Sequence, residues 1–292
     1  MASRRVYPWL IRSLWLVLPF VAGPAYGAAL QPHSQAVRLS AAGLAWAGWA
    51  LVLVGTLVPY PAGLTALRML APAAFAAATA AVLTGRPSTL SVVGALSGTA
   101  AALVVAFAAP TGALYANGPA YPNERRYPLR PPGPLLLGPL ELSWALSVGA
   151  PVAGILLLAA RAWLLGAVAL VVGLPLAVVL ARSLHGLARR WLVFVPAGVV
   201  VHDPLNLLEP VLFERKVIET LRPAPAGSDA LDLTKGALGL ALELVLLEKV
   251  PMTLVKPGTV GGRQGASARL LVTPTRPGQA LAEAARRRVP VG

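Results

Sequence analysis

Between Ser13 and Ala181 the chain runs through long apolar stretches that almost never hold an ionisable residue. After Ala181 the pattern changes to short alternating segments that end in a helical run. The sequence therefore divides into a helical bundle at 1–181, a basic juxtamembrane linker at 182–190 and a small, mainly β module at 191–292. Composition supports a membrane setting for the first part, because 57% of the residues are hydrophobic and only 12% are charged, whereas soluble domains carry about a quarter charged residues. A soluble core cannot absorb that much apolar surface.

A bilayer core about 30 Å thick requires roughly 20 apolar residues per helical span. Six runs meet or approach that length: residues 14–30, 39–58, 67–83, 90–109, 142–160 and 162–181. The last two form one apolar block interrupted only by Arg161, which marks a very tight hairpin. The formal charge of +14 would suggest nucleic acid in a soluble protein. Here most arginines stand just outside apolar runs, where they act as topology signals and contacts for lipid headgroups. No nucleic-acid partner is expected.

With the amino terminus in the cytoplasm, the inside segments carry Arg4, Arg5 and Arg12, then Arg68, then Arg125, Arg126 and Arg130, then Arg182, Arg189 and Arg190. The outside loops keep only Arg38, Arg86 and Arg161. This asymmetry predicts a multi-pass protein of a bacterial plasma membrane with both termini cytoplasmic. Arg125, Arg126, Arg130, Arg182, Arg189 and Arg190 are the expected contacts with anionic inner-leaflet lipid. Trp9, Trp144 and Trp191 fall near the expected span ends, where amphipathic rings favour the interface. The first span has a second reading, as a cleaved signal peptide with Arg4 and Arg5 in front and small residues around Ala25 and Ala28. Continuation of the apolar run to Leu30 favours a retained helix.

No Asp, Glu, Lys, Arg or His lies at the centre of any run, although proton relays and intramembrane catalysts place such groups there. Small residues are abundant instead. Gly94 and Gly98 form a GxxxG, and Ala73, Ala77 and Ala81 recur every fourth position, spacings that allow close helix packing. Packing within one molecule is the plainer account of Gly94 and Gly98; a dimer face is the alternative. Pro19, Gly23 and Pro24 interrupt the first span, and Gly173 with Pro175 the sixth. Such breaks surround substrates in transporters and also occur in spans that merely pack.

The segment 110–139 is the longest interruption of the bundle and is dense in proline, which opposes regular structure. It reads either as a cytoplasmic connection that holds orientation or as a docking surface against the module, with Glu124 and Glu141 as the only acids of the first 181 residues. Beyond it, 191–195 and 199–202 flank Pro196-Ala197-Gly198, a hairpin signal. Strands are further expected at 211–213, 217–221, 231–233, 238–247, 252–255 and 269–273. Leu238, Leu240, Leu242, Leu244 and Leu246 alternate in the longest, although leucine richness leaves a helical alternative. The glycine-rich 258–265 lacks a GxGxxG or GKT/S pattern and reads as a hairpin connection. Residues 277–288 begin with Pro277 and end in three arginines, as helices do. Leu281, Ala284 and Ala285 supply its apolar stripe, and Glu283 and Arg287 form an i,i+4 pair.

This order of short strands closed by a helix, reached through Leu271-Val272-Thr273-Pro274, resembles a bacterial pleckstrin-homology-like domain. The resemblance implies a bent antiparallel barrel capped by a carboxy-terminal helix. The whole chain also resembles uncharacterised actinobacterial polytopic membrane proteins, through residues 57–68, 124–133 and 191–196. That family implies no activity. Phosphoinositide-binding eukaryotic relatives hold the headgroup with a basic pair between early strands, and the Pro196-Ala197-Gly198 turn has none.

Catalytic patterns are absent from the sequence. His33, His185 and His202 stand far apart without an HExxH pairing, so no metal site is expected. There is no cysteine and no GxSxG. Glu209, Glu214 and Glu219 read as solvated positions. The sequence thus predicts a non-enzymatic membrane protein without cofactor that presents an interaction module to a membrane or cytoplasmic protein partner, in assembly or regulation of an envelope process. The alternative is a transporter, or a subunit of one, for an uncharged or lipidic solute.

Overall fold

The computed structural model describes residues 2–256 and 261–292. Its chain divides into two compact units, Met1–Tyr115 with Glu141–Leu184, and Ala116–Leu140 with His185–Gly292.

The first unit is helical. Its main elements are α1 (Ala2–Leu30), α2 (Gln35–Leu57), α3 (Pro61–Thr84), α4 (Thr89–Phe107), α5 (Ala109–Asn117), α6 (Pro139–Ala159) and α7 (Trp163–Leu187). All but α5 are long and apolar enough to cross a membrane, which gives the six expected spans and a multi-pass membrane protein. The turn at Arg161 is as tight as expected: Arg161 takes φ 64°, and Ala162 N–H donates to Leu157 O at 2.9 Å.

Local chemistry explains the packing. Pro19 has no N–H, so the carbonyl of Trp15 loses its helical donor. Trp49 Nε1 of α2 donates to that carbonyl at 2.9 Å, and Trp15 Nε1 donates to Trp49 O at 2.9 Å. The proline break thereby becomes a joint between α1 and α2. Ser34 and Ser88 accept from the backbone N–H groups of Val37 and Ser91 and cap the starts of α2 and α4. Gly94 and Gly98 face Val21 of α1, where a Cβ would stand 3.2 Å from Val21 O and 2.8 Å from Val21 Cγ2 respectively. A glycine seam also joins α6 to α7, since a Cβ on Gly154 would meet Leu170 at 2.7 Å and one on Gly166 would meet Leu158 at 2.7 Å. These contacts let helix backbones approach closely, the main source of attraction where lipid is as apolar as the side chains.

The second unit holds the strands. One sheet has the order β1 (Arg125–Pro128), β2 (Trp191–Val195), β3 (Gly198–His202), β4 (Val211–Glu214) and is antiparallel throughout. The other has the order β5 (Ile218–Pro223), β7 (Leu242–Leu254), β8 (Arg263–Val272), β6 (Leu231–Asp232), with β6 and β8 parallel. Alternation drives one face of each inward. Tyr127, Leu192, Phe194, Val199, Val201 and Phe213 of the first sheet share one core with Leu221, Leu242, Leu244, Leu270 and Val272 of the second. Helix α8 (Pro277–Arg286) adds Ala280 and Ala284 to that core.

Several expectations are corrected. The strands form two four-stranded sheets, and no closed barrel is seen among the described residues. Segment 110–139 is not an irregular connection. It contributes α5, β1 and a 3-10 turn at Gly133–Leu136, and β1 pairs with β2 in register from Arg125↔Phe194 to Pro128↔Trp191. Pairing to a partner strand far along the chain overrides the local effect of its prolines. The strand expected at 238–247 begins only at Leu242 and runs on through the one expected at 252–255. Arg215–Val217 is a 3-10 turn, and β5 starts at Ile218. Strand β8 starts at Arg263, inside the expected 258–265 connection, of which 258–260 lies outside the described residues. On α8 the buried face is Ala280, Glu283 and Ala284, with Leu281 partly buried and Ala285 exposed.

Candidate functional site

The polar chemistry of the second unit gathers where the inter-span segment joins the first sheet. Arg190, at the foot of β2, is only 1% exposed. Its Nε and Nη2 donate to both carboxylate oxygens of Asp203 at 2.7 and 2.8 Å, and its Nη1 donates to Arg130 O at 2.8 Å. Asn206 Nδ2 bridges Asp203 Oδ2 and Leu233 O, each at 2.6 Å. One guanidinium fork therefore ties 130, 203 and 233 together, geometry that lysine could not supply. The backbone continues the join, with Leu129 N–H donating to Arg190 O and Arg130 N–H to Thr273 O.

On the other face of the same sheet, Arg126 lies over the Trp191 ring at 4.7 Å, and Trp191 stacks on His202 at 5.2 Å. Arg126 is held by Glu124 through Nε at 2.7 Å. Its backbone is gripped on both sides by the Asn117 amide, which accepts from Arg126 N–H at 3.0 Å and donates to Arg126 O at 2.8 Å. Trp191 and Val193 pack with Ala116 in a small second core. Burial, then the nearby charges of Arg189 and Arg126, push the His202 imidazole below its ordinary value against the opposing pull of Asp203. Burial raises the Glu124 carboxyl, but its bonds from Arg126 and the Tyr121 N–H and the Arg126 charge outweigh this and hold it below the usual range.

A shallow basic concavity of about 330 Å3 lies elsewhere on the unit, lined by Asn206, Asp232, Lys235, Lys256 and Arg263 among others. Asp232 Oδ1 is occupied by Thr234 N–H and hydroxyl at 2.7 and 2.6 Å. Lys235, Lys256 and Arg263 outnumber Asp232 in this lining.

The expected basic contacts separate into two sets. Arg182 and Arg189 are exposed, and Arg125 is partly exposed on β1. Arg190, expected at the leaflet surface, is instead enclosed by its carboxylate. Arg126 is committed to Glu124 and Trp191, and Arg130 packs its guanidinium against Gly239, where a Cβ would stand 2.9 Å from Nε. Trp191, expected at a membrane interface, belongs to the sheet. Two arginines that signal topology also cap helices: Arg12 donates to Thr56 O and Leu57 O at the end of α2, and Arg68 to Ala106 O at the end of α4, where cations complement the helix dipole. Glu209, Glu214 and Glu219 are exposed, as expected. His33 lies in the bend between α1 and α2, His185 in α7 and His202 in β3, and among the described residues no cluster of His, Asp and Glu could hold a metal.

The Arg190–Asp203 clamp escaped sequence reading, because Asp203-Pro204 has the form of an ordinary turn and Arg190 closes a basic run. Its one legible signal was Arg189-Arg190 directly ahead of an apolar strand. No family model, curated protein or solved structure matches the chain.

Proposed function

We propose that this chain is a non-enzymatic plasma-membrane protein that holds a sheet module at the cytoplasmic leaflet, where the module engages a protein partner in assembly or regulation of an envelope process. The carrying observation is the β1–β2 ladder. Strand β1 precedes α6 and β2 follows α7, so the two can pair only if both leave the bilayer on the same side. An even number of spans between them supports the six-span topology, and four spans before β1 support an amino terminus on that side too. The arginine-rich segments all belong to that side, which supports a cytoplasmic assignment. Exposed Arg182 and Arg189 remain available to anionic lipid. The closing helix supports a module of pleckstrin-homology-like type, while the parallel β6–β8 pair departs from the antiparallel barrel of that type.

Two of the breaks that suggested a transporter serve packing: the carbonyl freed by Pro19 receives Trp49, and a Cβ on Gly173 would meet Ala150 Cβ at 2.8 Å. Reporters fused after Pro122 and Gly292 should both read cytoplasm and one after Arg86 the outside. In-cell cross-linking from Arg189→Cys should recover one reproducible protein. Opposite sides for Pro122 and Gly292 would sink the topology, and solute flux in vesicles containing only this protein would sink the non-transport reading.

A further inference from the structure

The alternating leucines 238 and 240, which read as the start of a strand, lie outside it on the loop between β6 and β7. Leu238 is 67% exposed and Leu240 49%. Nothing in the core accounts for two bare leucines on an ordered loop. A second pair, Leu136 at 38% and Leu137 at 86%, stands at the end of the 3-10 turn just before α6. The two pairs are brought together by close backbone contact. A Cβ on Gly133 would collide with Gly236 O, and Gly239, at φ +108°, has the Arg130 guanidinium where its own Cβ would be. The loop is thus fastened to the stretch that leads into a span.

Geometry and charge name the occupant. Leu137 precedes the first residue of α6, Pro139, by two positions, and a chain extends at most about 3.6 Å per residue. The leucine pair on this stretch is therefore within a headgroup layer of the end of the span, and the loop is fastened to the same stretch at Gly133. Residues 233–241 and 129–138 contain no acid and carry one cation each, Lys235 and Arg130. Apolar side chains flanked by cations and free of carboxylates match an anionic bilayer interface, as in interfacial anchors.

We infer that Leu136, Leu137, Leu238 and Leu240 form a wedge that inserts into the interfacial layer of the leaflet, with Lys235 at the lipid phosphates. The wedge fixes the module by its loop as well as by its tethers. This deepens the proposed function and rests on the reading of the helices as spans.

The absence of cysteine makes the test direct. Leu238→Cys, Leu240→Cys and Leu137→Cys, each in the full chain, are labelled with an environment-sensitive fluorophore and reconstituted in nanodiscs of phosphatidylglycerol and phosphatidylcholine with or without doxyl-labelled lipid. Lys216→Cys, on an exposed turn beside Glu214, is the water reference, and Val172→Cys, a lipid-exposed position of α7 by its 61% exposure, is the membrane reference. Doxyl quenching at Leu238 and Leu240 should exceed that at Lys216 by at least about threefold, with iodide quenching reduced by a similar factor. Equal behaviour at Leu238 and Lys216 overturns the wedge. Shielding from both quenchers overturns it as well, since a protein surface would then cover the leucines. Unquenched Val172 would instead refute the spans, and the wedge with them.

Discussion

The clamp that joins the inter-span segment to the sheet makes a quantitative demand on Asp203→Ala. Arg190 and Asp203 have side chains 1% and 0% exposed, so the substitution leaves a guanidinium buried without its counter-charge. It also strips the acceptor from Leu205 N–H and one of the two from Asn206 Nδ2. Removing one member of a buried pair costs about 3–5 kcal/mol, a large share of the roughly 5–15 kcal/mol that stabilises a domain. Hydrogen exchange of the full-length protein in micelles would read this as an acceleration of about a thousandfold for amides that open only with the whole unit. Because Arg190 also holds Arg130 O, peptides covering β1 and β2 should accelerate together. The paired change Arg190→Met with Asp203→Leu leaves no charge buried and should recover at least about 1 kcal/mol relative to the single variant. A loss below about 1 kcal/mol in Asp203→Ala, or a double variant no better than the single one, would refute the clamp as the element that secures β1.

His202 sets a pH dependence. Its folded value lies below the ordinary 6.5, so as pH falls through 6.5 the unfolded chain takes up the proton first and stability drops, with nothing lost above that value. His202→Phe keeps a ring against Trp191 and should reduce the loss of stability of the sheet unit as pH falls below about 6.5; an unchanged slope would exclude His202 as a source. In the bundle, Gly166→Ala places a Cβ 2.8 Å from Leu158 N and should cost about 1–3 kcal/mol in detergent unfolding. Gly149→Ala, with nothing within 4 Å, is the control and should be silent.

The bundle was legible because its signal is length and apolarity, which no tertiary contact needs to complete. The β2–β3 hairpin was legible for a related reason, since the turn chemistry of Pro196-Ala197-Gly198 is local. What could not be read depends on partners distant in sequence. Strand β1 has no strong strand pattern of its own; Tyr127 becomes a core residue only opposite Leu192, and Leu129 only opposite Pro274. A division of the chain at residue 191 therefore leaves out a strand of the sheet. Leu238 and Leu240 kept the period of a strand without its hydrogen bonds, because alternation alone does not say where a ladder stops. The candidate site was hidden most thoroughly, for a buried Arg190 and an exposed Arg189 are the same residue type side by side.

The position of α6 and α7 between β1 and β2 bears on how the protein is made. Strand β1 leaves the ribosome first and must wait for roughly 60 more residues, several seconds of synthesis at about 5–20 residues per second, before its partner exists. In that interval the hairpin has to insert. If it stops after one crossing, β1 and β2 emerge on opposite sides of the bilayer and the sheet cannot close. Formation of the sheet thus reports that both crossings of the hairpin have been completed.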